Sequence, residues 1–159
     1  MKVGDLMTKA VRCCGPHDSL DTAAHELWDG DCGALPVIDG PERRVVGMLT
    51  DRDICMSAHF RGRPLGQIQV EGVMSGNVQS CRPGDELSSA EATMQSAQVR
   101  RLPVVDDAGQ LLGMISLADI AREAGRTGSG RRPTCSESEV VGTLSAIVGP
   151  HPESPATAG

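Results

Sequence analysis

Residues 46–54 read VGMLTDRDI, and residues 112–120 read LGMISLADI. In both stretches Gly-Met and one apolar residue are followed by a hydroxyl residue, and an Asp lies three positions beyond that hydroxyl. A short apolar run that ends at Thr or Ser, with a carboxylate three residues later, is typical of a buried strand that leads directly into a helix. The same strand-to-helix junction therefore occurs twice in this chain.

The repetition extends well beyond these junctions. Residues 34–39 read ALPVID and residues 101–106 read RLPVVD, at an offset of 67. Residues 3–20 and 70–87 match at seven positions at the same offset, which falls to 66 after a loop that is one residue shorter in the second copy. This many matches in one order identify a tandem repeat, which has to be recognised before single elements are interpreted.

Each copy predicts the same order of elements, β-α-β-β-α. Asp18 and Asp85 are placed to cap the first helix, and the second helix begins at Thr50 or Ser116. Because sheets this small need further packing to be stable, the copies are expected to pack together with approximate two-fold symmetry in an α/β (α+β) fold. The predicted strands are residues 11–14, 35–38 and 45–49 in the first copy and residues 78–81, 102–105 and 111–115 in the second.

The composition bounds the class of protein. Hydrophobic residues make up 39% of the 159 positions, which is enough for a packed core, and the formal charge of −6 argues against a general nucleic-acid-binding protein. The N-terminus lacks a signal-peptide run, and no stretch approaches the ~20 apolar residues of a membrane span. We expect a cytoplasmic protein with no nucleic-acid or membrane partner, whose six cysteines are free thiols.

The repeat also predicts the domain boundaries. Residues 2–60 form the first repeat, residues 61–69 a connector and residues 70–124 the second repeat. Residues 125–159 begin as a flexible Gly/Ser/Arg linker and end in a segment expected to be disordered. Within them, residues 137–148 are compatible with one short helix, whose common face would hold Val140, Val141, Leu144, Ile147 and Val148.

The tandem pattern x-L-P-V-[IV]-D, then G-M-[LI]-[TS]-x-x-D-I, resembles the cystathionine-β-synthase (CBS) domain pair. The resemblance covers roughly residues 2–124, and both copies show it in register. The stand-alone arrangement is similar to small bacterial CBS-pair proteins, some of which respond to stress or oxygen limitation. The resemblance implies a regulatory homodimer without enzymatic activity or a required cofactor. It would bind AMP, ADP, ATP or S-adenosylmethionine between the copies and act on an unknown protein partner.

The junction motif has a chemical rationale for such a ligand. A hydroxyl and free N–H groups at a helix N-terminus suit a phosphate, and the carboxylate one turn further can accept hydrogen bonds from ribose hydroxyls. The same spacing is also the ordinary capping box, which satisfies only the helix itself, so both roles remain open. The resemblance implies two nucleotide sites, each completed by the other copy. Site A holds Thr50, Arg52, Asp53, Arg82, Val99, Arg100 and, as a further candidate, Arg101, and site B holds Ser116, Asp119, Cys14, Gly15, Cys32, Gly33 and Ala34.

The two sites are expected to differ in the charge of their ligand. Site A collects arginines, whose charge-assisted bonds to phosphate favour a di- or triphosphate there. Asp51 opposes such a ligand unless a metal ion such as Mg²⁺ bridges the carboxylate and the phosphates. Site B is expected to take an uncharged or weakly charged ligand, or to stay empty.

Two alternatives to a ligand sensor remain open. One is a ligand-free interaction protein, a homodimer held through the apolar helices around residues 20–28 and 54–60. The other is a thiol-based redox or stress sensor that uses Cys13 and Cys14, although neighbouring residues of a strand point to opposite sides. No metal site is predicted, because neither the cysteines nor the four histidines show the spacing of metal ligands.

Overall fold

Each repeat contributes one two-stranded antiparallel sheet. In this computed structural model, which describes residues 1–125 and 136–149, β1 (Ala34–Asp39) pairs with β2 (Arg44–Thr50), and β3 (Arg101–Val105) pairs with β4 (Leu111–Ser116). The four strands confirm the predicted ones to within one residue at each end. The segments predicted as the first strand of each copy form only one parallel bridge each, at Cys14 and at Cys81.

Within the described residues, six helices accompany these sheets. They are α1 (Val3–Leu6), α2 (Leu20–Asp29), α3 (Asp51–Arg61), α4 (Leu87–Ala97), α5 (Leu117–Ala124) and α6 (Glu137–Val148), with 3-10 turns at Leu65–Gln67 and Val70–Gly72. Helices α3 and α5 begin directly after Thr50 and Ser116, as predicted. Most of the predicted linker, residues 126–135, and most of the predicted disordered end, residues 150–159, lie outside the described part of the chain.

The N-caps of α2 and α4 differ from the prediction by one residue. Ser19 caps α2, where its side chain accepts a hydrogen bond from the N–H of Thr22, and Glu86 holds the cap position of α4. Asp18, the predicted cap, instead accepts a hydrogen bond from the N–H of Gly15 at 2.7 Å. Its carboxylate therefore closes the turn that precedes the helix, and Asp85 does the same in the second repeat.

The residues at the start of each repeat pack on the other repeat. Val3 is fully buried in the core of repeat two, and its N–H donates to the carbonyl oxygen of Asp85 at 3.0 Å. By the same relation, Ile68 and Val70 are buried in the core of repeat one. Each core is completed by a segment from elsewhere in the chain, so the packing units differ from the linear repeat boundaries.

After this exchange, both segments cross the free edge of the other repeat's sheet beside a glycine. Thr8 pairs with Met114 of β4 through two backbone hydrogen bonds of 2.8 and 2.9 Å, and Ser75 pairs with β2 in the same way. A Cβ atom on Gly113 would lie 2.7 Å from the carbonyl oxygen of Thr8. The glycine of the Gly-Met motif therefore makes room for the crossing segment, and Gly47 has this role in repeat one.

Helix α6 packs on α4 and α5 of repeat two through a partly polar face. Thr143 is fully buried and its Oγ1 accepts a hydrogen bond from Nε2 of Gln95 at 2.9 Å, while Ile147 joins the repeat-two core. Glu91, which is 6% exposed, lies 3.5 Å from the same Oγ1. Burial, and secondarily the charge of Glu139, raise the pKa of Glu91 above its ordinary value.

The helix predicted over residues 137–148 is present as α6, but only part of its predicted apolar face is buried. Val140 is half-buried and Ile147 is buried, but Val141, Leu144 and Val148 are exposed. The reason is that Thr143, a residue outside the apolar pattern, is buried against α4, where Gln95 donates a hydrogen bond to it. The helix therefore packs through the side that holds Thr143 and Ile147.

We expect Gly113→Ala to lower the free energy of unfolding by about 1–3 kcal/mol, the usual cost of inserting a methyl group into a close contact. The new Cβ would lie 2.7 Å from a backbone oxygen, which cannot move without shifting the crossing segment. Gly76→Ala is the matched control, since no atom lies within 4 Å of its added Cβ. Urea denaturation measures both variants against the wild type. Equal stability of the two variants would contradict the close crossing.

Candidate functional site

Both junction motifs form complete capping boxes. Oδ2 of Asp53 accepts hydrogen bonds from the N–H of Thr50 at 2.9 Å and from its hydroxyl at 2.6 Å, and the N–H of Asp53 donates back to Oγ1 of Thr50 at 3.2 Å. Ser116 and Asp119 repeat this arrangement with distances of 2.9, 2.6 and 3.3 Å. The capping role is therefore present at both junctions, and it uses only one oxygen of each carboxylate.

A cavity of about 820 Å³ lies between the two repeats, beside the second junction. Ser116 and Asp119 line it from repeat two, and Cys32, Gly33 and Ala34 line it from repeat one. Asp119 is 9% exposed and Ala34 is 7% exposed, so the wall is formed by well-packed residues. The structure brings together five of the seven residues that the sequence assigned to site B.

The remaining two residues of site B do not line the cavity. Cys14 is buried in the core of repeat one, where its N–H donates to the carbonyl oxygen of Pro36, and Gly15 lies in the turn closed by Asp18. The wall is formed instead by the segment that comes before residue 14. Because Thr8 is bonded to β4, residues 8–12 run past the second junction, and Thr8, Ala10, Val11 and Arg12 line the cavity.

The charged residues of the cavity are mostly basic. Four arginines and two aspartates line it, an excess of two positive charges in a chain whose formal charge is −6. Asp119 Oδ1 forms an ion pair with Arg122, whose side chain is 73% exposed. The lining arginines are Arg12, Arg100, Arg101 and Arg122, and the lining aspartates are Asp31 and Asp119.

Arg100, which the sequence assigned to site A, and Arg101, a further candidate for that site, line this cavity. The carbonyl oxygen of Arg100 accepts a hydrogen bond from the N–H of Leu117 at 2.9 Å, and Arg101 pairs in register with Ser116. Both arginines are therefore tied to the junction of their own repeat. An added Cβ on Gly33 would lie 3.8 Å from the guanidinium of Arg101, so this side chain spans the cleft to repeat one.

The other residues of site A are not brought together. Nε of Arg82 forms an ion pair with Asp107 at 3.0 Å, and Val99 packs against the core of repeat two. Arg52 is exposed beside Thr50 and Asp53. A second cavity, of about 400 Å³, lies near Asp51, and its lining includes none of these residues.

Two of the cysteines, Cys14 and Cys81, are buried in the cores of the repeats. Burial is the main cause that raises the pKa of Cys14 to about 12 and that of Cys81 to about 11. The five cysteines of the described residues are free thiols. Within residues 1–125 and 136–149, no three His, Cys, Asp or Glu side chains are grouped so that they could hold a metal ion.

The sequence matches a known family over both repeats. The family model of the CBS domain matches residues 3–59 and 70–126. CBS domain-containing protein YhcV of Bacillus subtilis is 38% identical over 119 residues, which cover 75% of this chain and 82% of that protein. Hypoxic response protein 1 of Mycobacterium tuberculosis is 33% identical over 118 residues, which cover 74% and 81% of the two chains.

Solved structures agree with this relationship. A crystal structure of Hypoxic Response Protein I with two coordinated zinc ions gives a TM-score of 0.70 at 31% identity, covering 77% of this chain and 98% of that one. The CBS domain pair of protein MJ0100, in complex with methylthioadenosine and S-adenosyl-L-methionine, gives a TM-score of 0.68 at 24% identity, covering 80% and 98%. In the described part of this chain, no helix is both long and apolar enough to cross a membrane.

We expect maleimide to label Cys14 and Cys81 of the folded protein at least about a hundredfold more slowly than the exposed Cys55 at neutral pH. The thiolate is the reactive form, and pKa values of about 12 and 11 leave almost none of it. Mass spectrometry of labelled peptides measures each site, and the unfolded protein serves as the control in which all sites react. Fast labelling of Cys14 in the folded protein would favour the redox-sensor alternative.

Proposed function

Because this chain belongs to the CBS domain family, we propose that it is a cytoplasmic regulatory module that binds an adenosine-containing ligand and signals its occupancy to a protein partner. The observation that carries the proposal is the cavity of about 820 Å³ between the repeats, a size that suits a nucleotide. The adenosyl ligands of the MJ0100 pair, a relative in fold, support this class of ligand. AMP, ADP, ATP and S-adenosylmethionine are the candidates, and the module performs no chemistry on them.

The charges of the cavity favour an anionic ligand there. Arginines make charge-assisted hydrogen bonds to phosphate that are about twice as strong as neutral ones. Arg12 comes from repeat one and Arg100 and Arg101 from repeat two, so a phosphate group between them would join the two repeats. We therefore place the nucleotide beside Ser116, rather than beside Thr50 as the sequence assignment of the arginines suggested.

Asp119 is suited to hold the ribose. Its Oδ2 is occupied by the capping box, and its Oδ1 is paired only with the exposed Arg122 in the contacts seen here. Only the Arg122 side of this ion pair is exposed, so ribose hydroxyls can replace the guanidinium if they donate hydrogen bonds to the same Oδ1. Arg122 is then free to turn toward the phosphates.

The adenine ring would rest on aliphatic side chains. The chain has only one Trp and one Phe, and neither lines this cavity. Val11, Met114 and Leu117 line it, and together they supply an apolar surface from both repeats. Burial of the ring against these side chains would add hydrophobic stabilisation that does not depend on charge.

An exposed apolar face on repeat one supports a homodimer as part of this proposal. Trp28 of α2 is 85% exposed, and Met56 and Phe60 of α3 are 40% and 76% exposed. Large apolar side chains that remain exposed on two neighbouring helices are candidates for an interaction site. The same exposed face supports a second candidate function, a ligand-free interaction protein, since assembly through this face needs no ligand.

We expect Asp119→Ala to weaken ADP binding by about 1.5–3 kcal/mol, the range for a hydrogen bond to a charged group, with isothermal calorimetry as the measurement. Asp53→Ala is a matched control, because it removes the corresponding capping box of the first junction, which does not line the cavity. Its affinity for ADP should stay within about twofold of the wild-type value. Loss of binding in Asp53→Ala alone would place the ligand at site A. If ADP, ATP, AMP and S-adenosylmethionine all fail to bind the wild type, the ligand-free interaction protein takes precedence.

We expect the wild type to be a dimer and the double variant Trp28→Ser/Phe60→Ser to be a monomer, because the substitutions remove the two most exposed apolar side chains of this face. Multi-angle light scattering at tens of micromolar measures the mass of each. Leu112→Ser is the control, since Leu112 is 39% exposed but lies on β4 of the other repeat. A monomeric wild type would contradict the homodimer.

A further inference from the structure

Helix α6 forms part of the wall of the cavity. Val140 and Leu144 line it together with Leu117 and Arg122 of α5. These two residues are four positions apart, so their side chains are neighbours on one face of the helix. A helix that follows the second repeat thus contributes two apolar side chains to the space between the repeats.

An adjacent face of the same helix fixes it to repeat two. Thr143 and Ile147 are buried there, and Gln95 donates a hydrogen bond to Thr143. The side-chain amide of Gln98 also donates to the carbonyl oxygen of Ala146 at 3.4 Å. The seat of α6 on α4 therefore sets the position of Val140 and Leu144 in the cavity.

This seat exists on one repeat only. At the offset of 67 residues, Glu91 and Gln95 of α4 correspond to Ala24 and Trp28 of α2. Ala24 offers no polar group to a threonine, and the only polar group of Trp28 is an indole N–H on a side chain that is 85% exposed. The chain thus places its additional helix beside the cavity that also holds the four arginines.

We propose that α6 is a ligand-responsive wall of this cavity, in which Val140 and Leu144 contact the nucleoside part of the bound ligand, so that ligand binding and α6 docking stabilise each other. The inference rests on the proposed function, since it assigns the regulation of the same cavity. A ligand that touches α6 binds more tightly to the docked state, and it must then favour docking by the same factor. Expulsion of the helix is not required, because the cavity has its volume of about 820 Å³ with α6 already docked.

The first test compares ADP affinity in Leu144→Ser and Val148→Ser by isothermal calorimetry. Both residues are exposed apolar positions of α6, at 44% and 57%, but only Leu144 lines the cavity. We expect Leu144→Ser to weaken binding at least about fivefold through loss of apolar contact, and Val148→Ser to stay within about twofold of the wild type. Equal affinities in Leu144→Ser and the wild type would overturn the inference while leaving the proposed function intact.

The second test measures hydrogen exchange of the α6 amides with and without saturating ADP. In the wild type, exchange over residues 140–148 should slow when ADP is bound, and in Leu144→Ser the slowing should be smaller by the same factor as the loss of affinity. Unchanged or faster exchange in the ADP-bound wild type would overturn the inference, because the ligand would then be indifferent to the docked helix or would displace it. If ADP, ATP, AMP and S-adenosylmethionine all fail to bind the wild type, the proposed function and the inference fail together.

Discussion

The backbone pairing of Thr8 with Met114, beside Gly113, is the contact on which the rest of the structure depends. The two backbone hydrogen bonds between Thr8 and Met114 form only because no side chain stands on Gly113. The crossing places Val3 in the core of repeat two on one side, and it carries residues 8–12 along the cavity on the other. One contact therefore explains both the exchange of segments between the repeats and the position of residues 8–12 in the cavity wall. Neither repeat can unfold alone without removing a buried residue from the core of the other.

The sequence predicts those features that depend on local chemistry. The four hairpin strands agree to within one residue because each apolar run is bounded by a turn or by a hydroxyl residue that starts a helix, whereas the predicted strands at residues 11–14 and 78–81 form one bridge each. Thr50 and Ser116 begin α3 and α5 because their capping boxes use only residues three positions apart. The cap of α2 shows the limit of such reasoning. Asp18 and Ser19 are both good caps, and the path of the preceding turn, which takes the carboxylate of Asp18, decides between them.

The parts of the site that the sequence missed depend on contacts between distant residues. Cys32, Gly33 and Ala34 were predicted through the resemblance to the CBS pair, and they line the cavity at the start of β1. Arg12 was missed because it reaches the cavity through the pairing of Thr8 with β4, more than 100 residues along the chain. The buried face of α6 was missed for a similar reason, since the partner of Thr143 lies on α4. Periodicity alone assigns a threonine to the polar side of a helix.

The two repeats share a backbone plan but differ in their side chains, and the functions that we propose assign a different task to each repeat. Repeat two has polar residues on α4, and these hold α6 beside a cavity with two excess positive charges. Repeat one has Trp28 on α2 at the position equivalent to Gln95. Phe60 lies on α3 of the same repeat, and both aromatic side chains are exposed. A face that binds another copy of the protein has to remain apolar and exposed in the monomer. A helix that responds to a ligand needs a docking equilibrium that the binding free energy of the ligand can change. Polar contacts and a partly exposed apolar stripe suit the second task, because their net stabilisation is small compared with that of a fully apolar interface. The chain as a whole is acidic, so the anionic ligand that we propose would be repelled by most of the surface and attracted where the arginines gather, which is also where Val140 and Leu144 of α6 line the cavity.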